Sequence, residues 1–347
     1  MIRRKLGWLP FVNLSIALLL LGLVQPVFAA NSSSTSVVAG DGGNGLRISP
    51  VRADAVIDPG KEKTLNVSVT NITSSASTYQ AFVNDFVSGD ESGQPLLITD
   101  DTKYAPSHSL KRFVQPIPNF TLQAGEQKSI PVTVKVPVNA PGGGYYAAVR
   151  FAPAGSSNGG DPTKNLTLAG SAGSLILVRV SGDVKEQLNI ASFDARTIDT
   201  KKQTDHASSF FLTNKNISVV IRFQNGGNVQ EQPFGKVTLK DRSGKTLATY
   251  EVNSSEPKAN VLPDSIRRFN IPLDKLGKFG KYKLEGNFGY GATGQLLTAS
   301  TTFYVVPLAY LVIFFLIVLI ILFMVFVFPR LLAAYKRRVI AQSRRRQ

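Results

Sequence analysis

The chain has 347 residues, 43% hydrophobic and 18% charged, with 39 Lys and Arg against 23 Asp and Glu and no cysteine. That length accommodates two domains with separate cores. The absence of cysteine excludes a lipobox anchor, thiol catalysis and cysteine-ligated zinc, and in a secreted protein it points to a bacterial exterior where cores hold without disulfides.

The net charge of +16 is not a nucleic-acid footprint once its location is read. Three cations (Arg3, Arg4, Lys5) precede the first apolar run and seven (Arg330, Lys336, Arg337, Arg338, Arg344, Arg345, Arg346) follow the last, with no acid in either segment. The region between them carries 29 basic and 23 acidic residues, a mild excess compatible with an anionic cell-wall polymer.

In chain order, Arg3-Arg4-Lys5, an apolar run from Ile16 to Val24 and Val27-Phe28-Ala29 read as a signal peptide cleaved after Ala29. Gln25-Pro26 ends the apolar helix before it is long enough to span a bilayer. Residues 30–45 are rich in Ser, Gly and Thr and read as a flexible leader. From Leu46 the pattern becomes period-two alternation broken by Pro, Gly, Asn and Asp: Leu46–Val51, Lys63–Asn71, Ser77–Val83 and Ile130–Pro137 in a first set. A second set comprises Leu175–Val180, Ile217–Asn225, Phe234–Lys240, Leu247–Val252, Ile266–Leu273 and Lys281–Phe288, with Asp241-Arg-Ser-Gly244 as a turn between two of them. No helical period is sustained between residues 46 and 303.

Leu122-Gln-Ala-Gly-Glu-Gln-Lys-Ser-Ile-Pro-Val-Thr-Val and the Gly-Gly-Gly-Tyr145 strand after it parallel Val261-Leu-Pro-Asp-Ser-Ile-Arg-Arg-Phe-Asn-Ile-Pro-Leu and Gly280-Lys-Tyr282. Val67–Asn71 likewise parallels Val220–Asn225. The expectation is all-β: two tandem immunoglobulin-like antiparallel sandwiches over residues 46–186 and 187–305, a Gly/Ser-rich loop at 152–173 in the first, and one C-terminal transmembrane helix. That helix is expected at Leu308–Phe328, 21 residues without a charge. Tyr304 and Tyr310 suit an aromatic belt, and the cations from Arg330 through Lys336, Arg337 and Arg338 place the 329–347 tail in the cytoplasm and the ectodomain outside. The tail suits contact with anionic lipid or a cytoplasmic partner.

The order of these pieces resembles the Gram-positive WxL-interacting surface proteins. The resemblance rests on Ile48-Ser-Pro-Val51, the Asp58–Asn71 run and Pro141–Phe151 in the first half, and on Leu188–Phe193, Ile221–Asn225, Leu262–Ser265, Gly280–Tyr282 and the closing Phe303 strand in the second. It implies a first domain facing peptidoglycan and a second facing a WxL or host surface partner.

No catalytic constellation is apparent. His108 and His206 stand alone in polar stretches and read as solvated loop residues; Asp85, Asp90, Glu91, Asp100 and Asp101 read as a solvated acidic loop rather than a hydrolase pair or a calcium loop. Gly142-Gly-Gly-Tyr145 reads as a turn, since no Lys-Ser/Thr follows it. In the strand beyond it, placing Tyr145, Ala147, Val149 and Phe151 in the core turns Tyr146 and Arg150 outward, as a plain solvated face or as a site for glycan stacking or partner anchoring. The expected function is a non-enzymatic, membrane-anchored adhesion scaffold without cofactors, contacting peptidoglycan and a surface protein. The alternatives are an accessory subunit of a secretion or wall-synthesis complex, and a wall hydrolase using Asp90 or Glu91.

Overall fold

The computed structural model describes residues 40–42, 45–155, 171–199 and 204–335; Ala29 and Lys336, Arg337 and Arg338 lie outside them. The first half supplies strands β1 (Gly40–Gly42), β2 (Leu46–Ser49), β3 (Arg52–Ile57), β4 (Glu62–Asn71), β5 (Ser77–Ser88), β6 (Pro95–Leu97), β7 (Phe120–Leu122), β8 (Gln127–Lys135), β9 (Gly143–Pro153) and β10 (Ala172–Val180). They form two sheets, β1-β2-β4-β8 and β3-β10-β9-β5-β6, with β7 added on β5. The second half supplies β11 (Leu188–Asp199), β12 (Thr204–Ala207), β13 (Phe210–Phe211), β14 (Ile217–Asn225), β15 (Phe234–Lys240), β16 (Thr246–Val252), β17 (Ile266–Pro272), β18 (Gly280–Tyr290) and β19 (Gln295–Val305). Their sheets run β12-β11-β14-β17 and β13-β19-β18-β15-β16.

The two orders are the same once β2, β4 and β8 are matched to β11, β14 and β17, and β3, β10, β9 and β5 to β13, β19, β18 and β15. Each pair of sheets closes on its own core, as period-two strands require. Val67, Val69, Val132, Val149 and Phe151 are buried in the first; Val219, Ile221, Phe223, Leu284 and Phe303 are buried in the second.

The expected all-β fold of two sandwiches and one C-terminal helix holds, with two refinements. One strand pair in each half runs parallel, β3 with β10 and β13 with β19. In each half, the opening strands contribute to both sheets, and the later segment meets a last strand that runs the same way. The supposed leader also contains β1, whose Gly40, Asp41 and Gly42 pair with β2. Its Gly-Asp-Gly composition signals a turn, but ladder pairing needs only backbone groups.

The repeat extends to a buried amide in each half. Asn71 ends β4 and Asn225 ends β14, and both are buried. The Asn71 side-chain NH2 donates to Ser75 O at 2.8 Å and Gln123 O at 3.1 Å, and its oxygen accepts from Thr73 N at 3.0 Å. The Asn225 NH2 donates to Val229 O at 2.7 Å and Val261 O at 2.9 Å, and its oxygen accepts from Gly227 N at 2.8 Å. Each amide therefore ties the loop after its own strand to the turn before the partner strand. Those turns both use positive φ, at Gly125 and Asp264.

The last strand leads through Pro307 into α1 (Leu308–Leu322), which continues through a π turn at Phe323–Val327. The whole helix spans Leu308–Tyr335 and is long and apolar enough to cross a membrane. None of its residues in Leu308–Val327 is buried, and a helix apolar all round has no stabilising partner in water.

Because each buried amide satisfies several loop groups at once, Asn71→Ala and Asn225→Ala are each expected to lower the unfolding free energy by roughly 2 kcal/mol or more, measured by denaturant titration. A loss under about 0.5 kcal/mol would show that water replaces the amide.

Candidate functional site at the joint between the sandwiches

On β9 the expected core face holds: Ala147, Val149 and Phe151 are fully buried, with Tyr145 packed beside them. The opposite face is not outward, however. Tyr146 is 2% exposed and Arg150 6% exposed, so neither presents a surface for glycan or partner. The Arg150 guanidinium donates to Asn84 Oδ1 through Nε at 3.0 Å and Nη2 at 2.7 Å, and to Ser171 Oγ at 3.0 Å. Burial lowers its pKa, and the Asp101 carboxylate acts the other way.

This second face is met by β6 and the start of the segment after it, where Leu97 packs beside Phe86, Tyr146, Ala148 and Leu177 and the Asn84 side-chain NH2 donates to Ile98 O at 3.0 Å; farther along, the segment joins the first face, with Leu110 in its core. Asp85, expected in a solvated loop, is fully buried on β5 and accepts the backbone N–H of Ala105 and of Lys111, both at 2.9 Å. Its backbone carbonyl accepts Ile98 N–H at 2.8 Å. His108, also expected to be solvated, is half-buried; its Nδ1 lies 2.6 Å from Gly144 O, and since that carbonyl only accepts, Nδ1 carries the proton. His206 is exposed on β12.

Tyr146 then reaches the second sandwich. Its hydroxyl donates to Gln230 Oε1 at 3.0 Å. Next to it, Asn228 is a hub: its NH2 donates to Gly142 O and Asp183 O, both at 3.0 Å, while its side-chain oxygen accepts Lys185 N–H at 2.7 Å. The Asn228 carbonyl accepts Gly144 N–H at 2.7 Å. The glycine run read as a turn is the seat of this contact. A Cβ on Gly144 would lie 1.9 Å from the Tyr146 hydroxyl, and one on Gly142 would lie 2.6 Å from Asp183 N.

On one flank of the joint, the β5–β6 turn clasps the outer face of the second sandwich. The Glu91 carboxylate accepts from Arg222 Nε at 2.7 Å, and its backbone carbonyl accepts Arg268 N–H at 2.7 Å. On the other flank Arg52 donates to Lys258 O at 2.7 Å, and Arg179 pairs with Glu186 at 2.7 Å. Glu186 also accepts Ala292 N–H at 2.9 Å. Glu231 is buried beside it, with Oε1 lacking a hydrogen-bond partner. Burial pushes its carboxyl up to about 7, and the neighbouring Glu186 charge adds to the rise.

Between the clasp and Tyr146 lies a groove of about 480 Å³. Phe86, Val87, Tyr146, Leu262 and Ile266 line its apolar part, with His108, Asp90 and Glu91 supplying polar groups. Asp90 is held below the usual carboxylate range by the Ser92 hydroxyl and backbone N–H. Among the described residues, no group of three or more His, Asp or Glu side chains converges to hold a metal. Sequence reasoning singled out Tyr146 but missed the groove, because five of its fourteen lining residues come from the turn at Leu262–Ile266, far away in sequence.

No family model matches the chain, and no curated protein matches it. Among solved structures it is similar to the class 5 fimbriae chaperone CfaA, at 15% identity over 76% of this chain and 100% of that one, with a TM-score of 0.34. It is also similar to the CsuC–CsuE chaperone–tip adhesion subunit complex of Acinetobacter baumannii, at 12% identity over 76% and 99%, with a TM-score of 0.33. A third match is the Salmonella enterica SafA pilin in complex with the SafB chaperone, at 15% identity over 76% and 96%, with a TM-score of 0.32.

The raised carboxyl gives the joint a pH signature. Glu231 holds its proton to about 7 when folded but to only 4.5 as a free side chain, so stability present at acid pH is lost as pH rises between those values. Glu231→Gln is therefore expected to raise the melting temperature at pH above about 7 and to flatten the pH dependence below it. An unchanged profile in calorimetry would show that water reaches this carboxylate.

Proposed function

We propose that the chain is a non-enzymatic, membrane-anchored scaffold of the bacterial cell surface, with the signal peptide cleaved after Ala29, the sandwiches outside and the basic tail in the cytoplasm. Its ligand is a protein segment held in the groove between the sandwiches. The observation that carries this reading is the groove itself: an apolar floor flanked by the carboxylates of Asp90 and Glu91, formed by both sandwiches together. Apolar lining with a few placed polar groups suits a segment that carries apolar side chains and a cation for Asp90, the Glu91 carboxylate being held by Arg222. A polar glycan would leave the floor of Phe86, Val87 and Ile266 poorly matched.

The resemblance to WxL-interacting proteins enters as the source of the first candidate partner, a surface protein of the same cell. The residues that carried it, such as Asn71, Asn225 and Gly142–Gly144, tie loops and seat the joint. Peptidoglycan is the competing ligand.

The test uses full-length protein in native membranes, with a photo-crosslinking side chain at Val87 and, in parallel, retention on isolated sacculi. Groove-dependent crosslinking to a surface protein is expected, reduced at least tenfold by Ile266→Arg, which puts a charge on the floor. Sacculus retention that survives Ile266→Arg, with no crosslink sensitive to it, would place the ligand elsewhere and favour the wall polymer.

A further inference from the structure

The second sandwich ends in a cluster of aromatic and basic side chains where the chain passes into α1. Phe210 and Phe279 are each 65% exposed and Leu212 is 56% exposed, large apolar side chains with no core to join. They belong to a small network. The Phe210 ring stacks on Tyr304 at 5.0 Å, and the Lys281 ammonium lies 5.8 Å from the Tyr304 ring centre. Register explains the grouping, because Phe210 and Lys281 both sit directly opposite Tyr304, on its two neighbouring strands. The cluster is continuous with the helix: Phe279 meets Tyr310, in the first turn of α1, at 5.9 Å, and Leu308 N–H donates to Leu212 O at 3.3 Å.

Cations surround these rings. Lys275 and Lys283 are paired with Asp274 and Glu285, whereas Arg242, Lys278 and Lys281 form no ion pair among the described residues. Arg242 and Lys281 line one side of a cleft of about 840 Å³ whose other walls are Phe279, Tyr282 and Tyr304. Asp241, the one acid on that cleft, is occupied with its own turn, accepting Ser243 N–H at 2.8 Å and Lys245 N–H at 3.0 Å.

Exposed aromatic rings beside unpaired cations, at the first residues of an apolar helix, are what a protein surface needs to rest in the headgroup layer of a bilayer. We infer that this end of the second sandwich is a lipid-docking collar. Phe210, Leu212 and Phe279 dip into the interface, and Arg242 and Lys281 hold the phosphate of an anionic phospholipid in the cleft. The occupant is the outer leaflet of the membrane that α1 crosses, so the inference rests on the anchoring reading above. Its consequence is orientation. A docked collar fixes the second sandwich against the membrane and points the groove away from it, where a tether at Val306-Pro307 alone would let the ectodomain swing.

Because the chain has no native cysteine, single labels report cleanly. Full-length protein carrying a bimane fluorophore at Phe279→Cys, at Ser243→Cys or, as a distant reference, at Val138→Cys would be reconstituted in nanodiscs containing nitroxide-headgroup lipids. The expected result is at least twofold quenching at 279 and 243 and none at 138. It should be stronger in phosphatidylglycerol than in phosphatidylcholine discs, with that difference lost in the Arg242→Glu/Lys281→Glu variant. Protein that enters the discs but is quenched no more at 279 and 243 than at 138 would overturn the collar and leave the anchor standing. Equal quenching in both lipids would overturn the role given to the two cations. Protein that fails to enter the discs would overturn the anchoring reading and the collar with it.

Discussion

Strand β9 has no side that faces water, and the arrangement of the ectodomain depends on this. A strand in a two-sheet sandwich normally buries one face and wets the other. In β9 only Tyr145 and Pro153 are not fully buried, and Gly143 and Gly144 admit backbone contact from the second sandwich. The cost of burying Tyr146 and Arg150 is offset by hydrogen bonds, one side chain through Gln230 and the other through Asn84 and Ser171. Since Tyr146 finds its hydroxyl partner only across the joint, the packing of the first sandwich includes the placement of the second.

The duplicated topology makes the asymmetry informative. Strand β18 occupies in the second sandwich the position that β9 holds in the first, yet it alternates: Tyr282, Leu284, Phe288 and Tyr290 are buried while Lys281, Lys283 and Asn287 face out. Two copies of one plan have therefore been put to different uses. The first doubles the burial of its central strand to build a joint and a groove; the second keeps its strand single-sided and leads directly into α1.

Most strands were legible in the sequence because alternation is a local property, and the repeat was legible because Asn71 and Asn225 end matching strands before matching turns. The joint was not, because its defining contacts run between Gly142–Gly144 and Asn228, and between Glu91 and Arg222, pairs that no period relates. One signal was present. Tyr145-Tyr-Ala-Ala-Val-Arg-Phe151 has a single polar residue in seven, and Leu175-Ile-Leu-Val has none, a composition belonging to strands buried on both faces rather than one. Asp85 was misread for a related reason: a carboxylate near other acids suggests a loop, while its actual role is to accept two backbone N–H groups from a covering segment.

The Tyr146, Asn228 and Glu91 contacts lock the two sandwiches at one angle, so that the groove exists before any partner arrives. Spin labels at Lys128→Cys on β8 and Thr249→Cys on β16, both exposed in a chain without native cysteine, allow the inter-sandwich distance to be measured by pulsed dipolar spectroscopy. A single narrow distribution is expected for the native joint. Asn228→Ala or Gly144→Ala, which remove the hub or force a Cβ onto the Tyr146 hydroxyl, should broaden it. A distribution already broad in the unsubstituted joint, and unchanged by either substitution, would mean that the sandwiches move independently and that the groove is not a fixed site.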